Sequence, residues 1–173
     1  MKLNKIDLAL MSEVVEMLEL RESLSFVVDG PNVLFYNTSK HSRYESPLFD
    51  RWVQLYTLLT AYSSSVLIFI PRYFCHKFGN NRVFQEIISY PYMQIIPSQS
   101  DEDLFLLEYA MTNHAFIISN DRFKDYQHLY PVVTKRRHVP FSIIDQQGST
   151  TFLIPILTFI RSLGKPFSER HLY

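Results

Sequence analysis

A short apolar run that ends on an acid constrains the fold of this chain more than any other stretch. Phe26, Val27 and Val28 are typical of a buried β-strand, and Gly30 and Pro31 end it directly after Asp29. An ionised carboxylate at the end of a buried strand is costly unless it is paired or binds a cation. Asp29 is therefore the first candidate for a functional residue, with Asn32 one tight turn later. A plain turn-forming role for both residues stays open at this point.

The order of elements predicts an α/β fold with a mostly parallel central sheet. Continuous apolar strands alternate with amphipathic helices, and this pattern is typical of a parallel sheet covered on both faces. A helical extension is predicted at 1–24, with its helix over 6–21, then a core domain at 25–155, and a helix and tail at 156–173. Within the core domain we predict strands at 25–28, 66–70, 93–96 and 115–119, and helices at 48–62, 81–90, 100–113 (capped by Ser100) and 122–130. A loop is predicted at 37–47. A final strand pair at 141–144 and 151–154 is predicted to add a differently oriented edge strand to the sheet.

Composition excludes several classes of protein. The chain has 173 residues, of which 47% are hydrophobic, so it can form one full core and is not a disordered protein. Its single cysteine excludes an internal disulfide and a cysteine-based zinc cluster. Acids interrupt the N-terminal apolar residues, which argues against a signal or transit peptide, and no apolar run is long enough to span a membrane. We expect an intracellular protein of the cytoplasm or nucleus, with organelles left open.

Acidic residues follow three of the predicted strands. Because parallel strands place their carboxyl ends at the same edge of a sheet, these acids should converge there. Crowded carboxylates repel one another unless a cation neutralises them, and oxygen ligands without cysteine or histidine suit Mg²⁺, with Mn²⁺ as the alternative. Favourable charge at a helix start is the other explanation for Glu102, Asp103 or Asp121 taken singly. The predicted metal ligands are Asp29, Glu102, Asp103 and Asp121, and Asp125 lies one helical turn beyond Asp121.

Three motifs in this order resemble the NYN branch of the PIN-like ribonucleases. They are Val27–Val33 (VVDGPNV), Asp101–Phe105 (DEDLF) and Ile118–Asp125 (ISNDRFKD). The nearest resemblance is to the Regnase-type ribonucleases, which carry a CCCH zinc finger, and to the catalytic domain of protein-only RNase P. It covers roughly residues 25–155 and implies a three-layer α/β/α fold.

The resemblance implies a metal-dependent endoribonuclease that leaves 5′-phosphate and 3′-hydroxyl ends. By motif, Asp29, Asp103 and Asp121 match the metal-binding carboxylates, and Asn32 and Asp125 match further residues of the site. Glu102 stands where the family usually has aspartate, and Asp101 is expected to compensate in part. The catalytic set is therefore Asp29, Asn32, Glu102, Asp103, Asp121 and Asp125.

Local basic clusters supply candidate RNA contacts even though the 17 basic residues equal the 17 acidic ones. The cluster at 72–82 mixes cations with aromatic residues, as single-stranded RNA binding would use, although a solvated loop explains it equally well. The candidates are Arg72, Lys77, Arg82, Arg122, Lys135, Arg136 and Arg137. Two alternatives to a general endoribonuclease remain: a non-catalytic RNA-binding or assembly subunit, and tRNA 5′ maturation. A homodimer or a partner protein could bind through the N-terminal helix.

Overall fold

A computed structural model describes residues 10–12, 15, 24–38, 48–63, 65–146 and 149–157. Most of the predicted N-terminal extension and C-terminal tail, and most of the predicted 37–47 loop, lie outside these ranges. Residues 10–12 and 15 are helical, and Leu10 is buried in the core. Among the described helices, none is both long enough and apolar enough to cross a membrane.

The first four strands are separated by helices, as the sequence predicts. Strands β1 to β7 are Ser25–Asp29, Ser65–Pro71, Met93–Ile96, Phe116–Ile118, His138–Val139, Ser142–Gln146 and Ser149–Leu153. Helices α1 to α5 are Gly30–Leu34, Asp50–Thr60, Tyr73–Phe78, Arg82–Ile88 and Glu102–Thr112. A 3₁₀ turn at Lys124–Tyr126 and a π-helical turn at Val133–Arg137 follow β4.

Five parallel strands form the central sheet in the described part of the chain. Their order is β3-β2-β1-β4-β5, so β1 occupies the centre. The register pairs Asp29 with Phe69 on β2, and Val28 with Ile118 on β4. Since all five strands run in the same direction, their carboxyl ends, including the end of β1 at Asp29, lie at one edge.

Alternating side chains of the strands divide the core between the two faces of the sheet. Phe26 and Val28 of β1 join the larger apolar cluster, which includes Trp52 of α2. Val27 joins the smaller cluster, which includes Leu107 of α5. Helices therefore cover both faces, which confirms the predicted three-layer arrangement. Asp29 is two residues after Val27, so it continues the face against which α5 packs.

Several local predictions were wrong. The N-cap of α5 is Asp101, not Ser100, because the Asp101 side chain accepts a hydrogen bond from the Leu104 amide at 3.0 Å. No α-helix spans 122–130, where Phe123 takes a left-handed conformation with φ of 46°. Helices α1 and α3 lie in stretches without a predicted helix. The final strand pair forms a separate antiparallel hairpin, β6–β7, and the fifth strand of the central sheet is the unpredicted β5.

Candidate active site

The turn after β1 is shaped by close packing around Gly30. A Cβ atom at this position would lie 2.6 Å from the Phe69 carbonyl oxygen and 2.7 Å from Ile70 Cγ2, so only glycine fits against β2. The Trp52 indole nitrogen donates to the Gly30 carbonyl at 2.8 Å. Helix α1 therefore starts directly after Asp29, and Pro31 suits its first turn.

Asp29 is held by hydrogen bonds to both of its carboxylate oxygens. Oδ1 accepts from the Asn32 amide at 3.1 Å, so Asp29 also caps α1. Oδ2 accepts from the Ser119 hydroxyl at 2.7 Å, and the same hydroxyl accepts from the Asp121 amide at 3.0 Å. Ser119 thus joins the first and the third acidic motif through one buried oxygen. Its functional role was not predicted, although it lies between β4 and Asp121 within the recognised motif.

Asn32 and Asn120 fix the spacing of the loops around Asp29. The Asn32 side-chain carbonyl accepts from the Asn120 amide at 3.0 Å. The Asn120 side chain pairs twice with the backbone of Phe141, donating at 2.9 Å and accepting at 3.0 Å. Asn32 was predicted to belong to the catalytic set. In the structure, its contact with Asn120 positions the loop that follows β4, called the β4 loop below.

Asp121 and Asp125 lie on the irregular segment that follows β4. Asp121 Oδ1 accepts from the Phe123 amide at 2.8 Å, and this turn together with the left-handed Phe123 prevents a helix from starting there. The Phe123 ring is buried against the α5 face of the sheet. The helix-based argument for Asp125 was therefore wrong, yet Asp125 still lines the same cleft as Asp121.

The first turn of α5 brings Asp103 to this cleft. The cleft has a volume of about 450 Å³, and its lining residues are Asp103, Asn120, Asp121, Arg122, Phe123, Lys124, Asp125 and Tyr126. The Tyr126 hydroxyl donates to Asp101 Oδ2, which links the β4 loop to the start of α5. Because its other oxygen caps α5, the Asp101 carboxylate is already engaged, so nothing supports the expected compensation for Glu102.

Charge and burial raise the pKa values of two of these acids. The pKa of Asp29 is raised to about 6, chiefly because the carboxylate is buried; the hydrogen bonds from Ser119 and Asn32 oppose the rise, and the charges of Asp103 and Asp121 add to it. The pKa of Asp103 is also raised to about 6, first by burial and then by the charges of Asp121, Asp101 and Asp125. Asp29, Asp103, Asp121 and Asp125 therefore form one electrostatically coupled group, called the acidic group below.

Glu102 lies in a different place from the acidic group. Its side chain lines a second cleft of about 200 Å³ at the ends of β2 and β3. The pKa of Glu102 is raised by burial and by the neighbouring charges of Asp103 and Asp101, whereas neither Asp29 nor Asp121 contributes. Adjacent residues on a helix point about 100° apart, so Glu102 and Asp103 face two clefts.

The seven candidate RNA contacts are spread over the surface. Arg122 lines the first cleft and Arg72 the second. Lys77, with its ammonium 5.5 Å from the centre of the Phe78 ring, is exposed, as is Arg82. Lys135 and Arg136 are exposed on the π-helical turn, whereas the side chain of Arg137 is buried, with a relative exposure of 9%.

His138, on the edge strand β5, is a half-buried polar residue near the acidic group. Its Nε2 lies 2.7 Å from the Ser119 carbonyl oxygen, so this nitrogen carries the hydrogen that is donated. Burial lowers the pKa of His138, which favours the neutral ring. This hydrogen bond holds the backbone of Ser119, whose hydroxyl contacts Asp29. No local sequence pattern indicated this role of His138.

The acidic group offers oxygen ligands alone. As the described side chains stand, no three carboxylate, imidazole or thiol groups lie close enough together to hold a metal ion. The donor set nevertheless fits a small divalent cation, because Mg²⁺ and Mn²⁺ are bound in proteins mainly by carboxylates and water. Burial and the neighbouring negative charges raise the pKa values of Asp29 and Asp103, and both are effects that a bound cation would offset.

Comparison with known proteins agrees with this architecture. Residues 23–148 match the family model of the Zc3h12a-like ribonuclease NYN domain. Two solved structures of the nuclear protein-only RNase P 2 (PRORP2) of Arabidopsis thaliana share the fold, with TM-scores of 0.60 and 0.59 at 20% and 18% identity. The alignments cover 83% and 87% of this chain but only 32% and 34% of PRORP2. No curated protein matches the sequence.

The fold and the acids at its sheet edge define a NYN-type nuclease domain. Since the family model covers well over half of the sequence, the chain belongs to the Zc3h12a-like ribonuclease NYN family. The resemblance that the three motifs predicted is confirmed. The chain spans about a third of the length of the PRORP2 structures, which share its fold alone.

The raised pKa of Asp29 predicts a pH-dependent difference in stability between wild type and Asp29→Asn. The folded state holds a proton on Asp29 up to about pH 6, whereas the unfolded chain loses it near 3.8, so the contribution of this group falls as pH rises between the two values. Without metal, the free energy of unfolding of Asp29→Asn should rise relative to that of wild type by up to roughly 3 kcal/mol as the pH goes from 4 to 7.5.

Chemical denaturation in EDTA measures this difference. The opposite pH dependence of His138, whose pKa is lowered, occurs in both proteins and cancels. A difference that stays constant over the pH range would show that Asp29 has an ordinary pKa in the folded protein.

Proposed function

We propose that this chain is a metal-dependent endoribonuclease whose divalent cation, Mg²⁺ or Mn²⁺, is held by Asp29, Asp103 and Asp121. The observation that supports this most strongly is the acidic group itself: carboxylates from β1, α5 and the β4 loop act on one another's pKa at one edge of the sheet. Glu102, a predicted ligand, is left out of the set because it lines the second cleft.

When bound, such a cation activates a water molecule and neutralises charge on the phosphate under attack. The chain's own residues prepare the site for this chemistry. Ser119 and the Asn32 amide orient Asp29, and the Asp121 amide is fixed by the same Ser119 hydroxyl. Asp125, which lines the same cleft, adds negative charge near Asp103 and can hold a water molecule.

The RNA backbone would run along the exposed cations that line the first cleft, Arg122 and Lys124. Lys135 and Arg136 lie on the π-helical turn that leads into the amino end of β5, so any contact they make would be farther along the RNA. Basic side chains bind phosphates without regard to sequence and release counterions, which gives affinity that falls with salt. The burial of Arg137 removes it from this set, in contrast to the expectation from the basic run.

A non-catalytic RNA-binding or assembly subunit is the second candidate. The observation in its favour is that the described side chains hold no ready-made group of three metal donors. The retained acids favour the enzyme, because Asp29 and Asp103 would otherwise raise the free energy of the folded state at neutral pH. A partner contact through the predicted N-terminal helix involves residues that lie mostly outside the described ranges.

Cleavage assays on two RNAs test the proposed function. Purified protein is incubated with an unstructured single-stranded RNA and with a precursor tRNA, each in Mg²⁺ and in EDTA. We expect cleavage of the unstructured RNA in Mg²⁺ alone, with 5′-phosphate and 3′-hydroxyl ends. Cleavage of the precursor tRNA alone, at its mature 5′ end, would instead indicate tRNA 5′ maturation, the alternative activity. RNA binding without cleavage in Mg²⁺ or Mn²⁺ would overturn the enzyme proposal.

A further inference from the structure

A second cleft lies beside the acidic group and takes no part in the proposed chemistry. It is formed where β2 and β3 end, at the carboxyl edge of the sheet that also carries Asp29. Its residues are Pro71, Arg72, Tyr73, His76, Ile96, Pro97, Ser98, Gln99, Ser100 and Glu102. Its volume of about 200 Å³ is below the ~300–1,000 Å³ of sites for drug-sized ligands, so it suits a single flat group.

The lining of this second cleft combines the groups that recognise a nucleotide. Tyr73 exposes 50% of its surface, and its ring is braced edge-on by the fully buried Phe74, with centroids 4.8 Å apart. Arg72 supplies a cation, and Glu102 supplies a carboxylate that accepts hydrogen bonds. Among the described residues, neither Arg72 nor Glu102 makes a side-chain hydrogen bond or an ion pair, so both are available to a ligand.

The first turn of α5 connects the two clefts. Glu102 faces the second cleft and Asp103, the next residue, faces the first. An RNA strand with one phosphate at the cation proposed to be held by Asp103 would therefore carry a neighbouring nucleotide close to Glu102. This continuity favours a nucleic-acid strand as the occupant over an isolated small molecule.

We propose that the second cleft is a base-reading subsite for a nucleotide next to the cleaved phosphate, with Tyr73 stacking on the base and Glu102 accepting hydrogen bonds from its Watson–Crick edge. Single-stranded RNA is commonly recognised by stacking on aromatic rings and by contacts to that edge. Guanine is the preferred base, because its edge presents two adjacent N–H donors that match the two oxygens of a carboxylate. The assignment of this base to a site of cleavage rests on the proposed function.

Binding measurements without metal test the subsite separately from catalysis. Fluorescence anisotropy in EDTA compares uridine oligonucleotides that carry one central guanosine, adenosine, cytidine or uridine. Wild type should bind the guanosine oligonucleotide roughly tenfold more tightly than the others, and Glu102→Gln should reduce this preference to about twofold or less. Glu86→Gln, which removes an exposed acid on α4 outside both clefts, is the matched control and should keep the preference.

A second variant checks the stacking partner. Tyr73→Ala should weaken binding of all four oligonucleotides by roughly tenfold while leaving their order unchanged. Equal affinity of wild type for the four bases, no measurable RNA binding, or a preference that survives in Glu102→Gln would each overturn the inference. So would loss of Mg²⁺ stabilisation in Glu102→Gln, because that result would assign Glu102 to the metal.

These outcomes separate the subsite from the enzyme. A guanosine preference in EDTA without cleavage in Mg²⁺ would support the subsite and contradict the proposed function. Cleavage in Mg²⁺ without any base preference would support the proposed function and contradict the subsite.

Discussion

Asp103→Asn is expected to lower the rate of RNA cleavage by at least about 100-fold while the protein stays folded. Replacing even an outer-shell partner of a metal ligand commonly costs 10- to 100-fold, and Asp103 is proposed as a direct ligand. The change removes a charge without changing the shape of the side chain. Since burial, and then the charges of Asp121, Asp101 and Asp125, raise the pKa of Asp103, removing its charge should leave the stability of the metal-free protein unchanged or higher at pH 7.5.

Single-turnover cleavage in Mg²⁺, together with a thermal melt in EDTA, measures both effects. Asp50→Asn is the matched control, because Asp50 is an exposed acid in the first turn of α2 and lies outside both clefts. The control should retain the wild-type rate. An Asp103→Asn protein that cleaves as fast as wild type would show that the acidic group is not the catalytic centre.

The largest effect on stability is expected at Arg51, a buried cation that contacts the end of α1. Arg51 has a relative exposure of 3%, and its Nη1 donates to the carbonyl oxygens of Val33, Leu34 and Tyr36 at 3.3, 3.1 and 2.8 Å. It thereby satisfies carbonyl groups at the end of α1, the helix that begins directly after Asp29. Arg51→Met should lower the free energy of unfolding by about 3–5 kcal/mol, because buried partners lose their charge-assisted bonds.

The ion pair between Arg51 and Asp145 provides the control for this prediction. Their atoms Nη2 and Oδ2 are 2.5 Å apart, but 45% of the Asp145 side chain is exposed. Solvent screens such a pair, so Asp145→Asn should cost only about 1 kcal/mol. Urea denaturation gives both values. Equal losses in the two variants would show that the ion pair, and not the contacts to α1, is the source of the stability.

Much of the fold followed from local sequence patterns. The apolar run before Asp29 predicted β1, and the positions of the strands predicted that Asp29, Asp103 and Asp121 come from three elements that end or begin at one sheet edge. The coupled pKa values of Asp29 and Asp103 agree with that placement. These predictions work because a buried parallel strand and its following helix are both specified by nearby residues.

Other features of the site depend on contacts between distant residues. Ser119 contacts Asp29 across 90 residues, and Arg51 contacts Asp145 across 94. The burial of Arg51 had one signal in the sequence, because Arg51 lies four residues before Leu55 on the apolar face of α2. Glu102 and Asp103 were predicted to share one site, although the 100° between adjacent helical residues argued against it. The left-handed Phe123 had no local signal, because its ring is buried by packing against α5.

Thermal unfolding during a Mg²⁺ titration tests most directly whether the acidic group binds a cation. A ligand that binds only the folded state stabilises it by about 2.7 kcal/mol at 100 times its Kd, which corresponds to a rise in Tm of roughly 5–10 °C for a chain of this size. At pH 7.5 we expect such a rise for wild type and less than a third of it for Asp29→Asn, with Asp50→Asn like wild type. A wild-type Tm that does not respond to Mg²⁺ or Mn²⁺, or an equal rise in Asp29→Asn, would contradict the account.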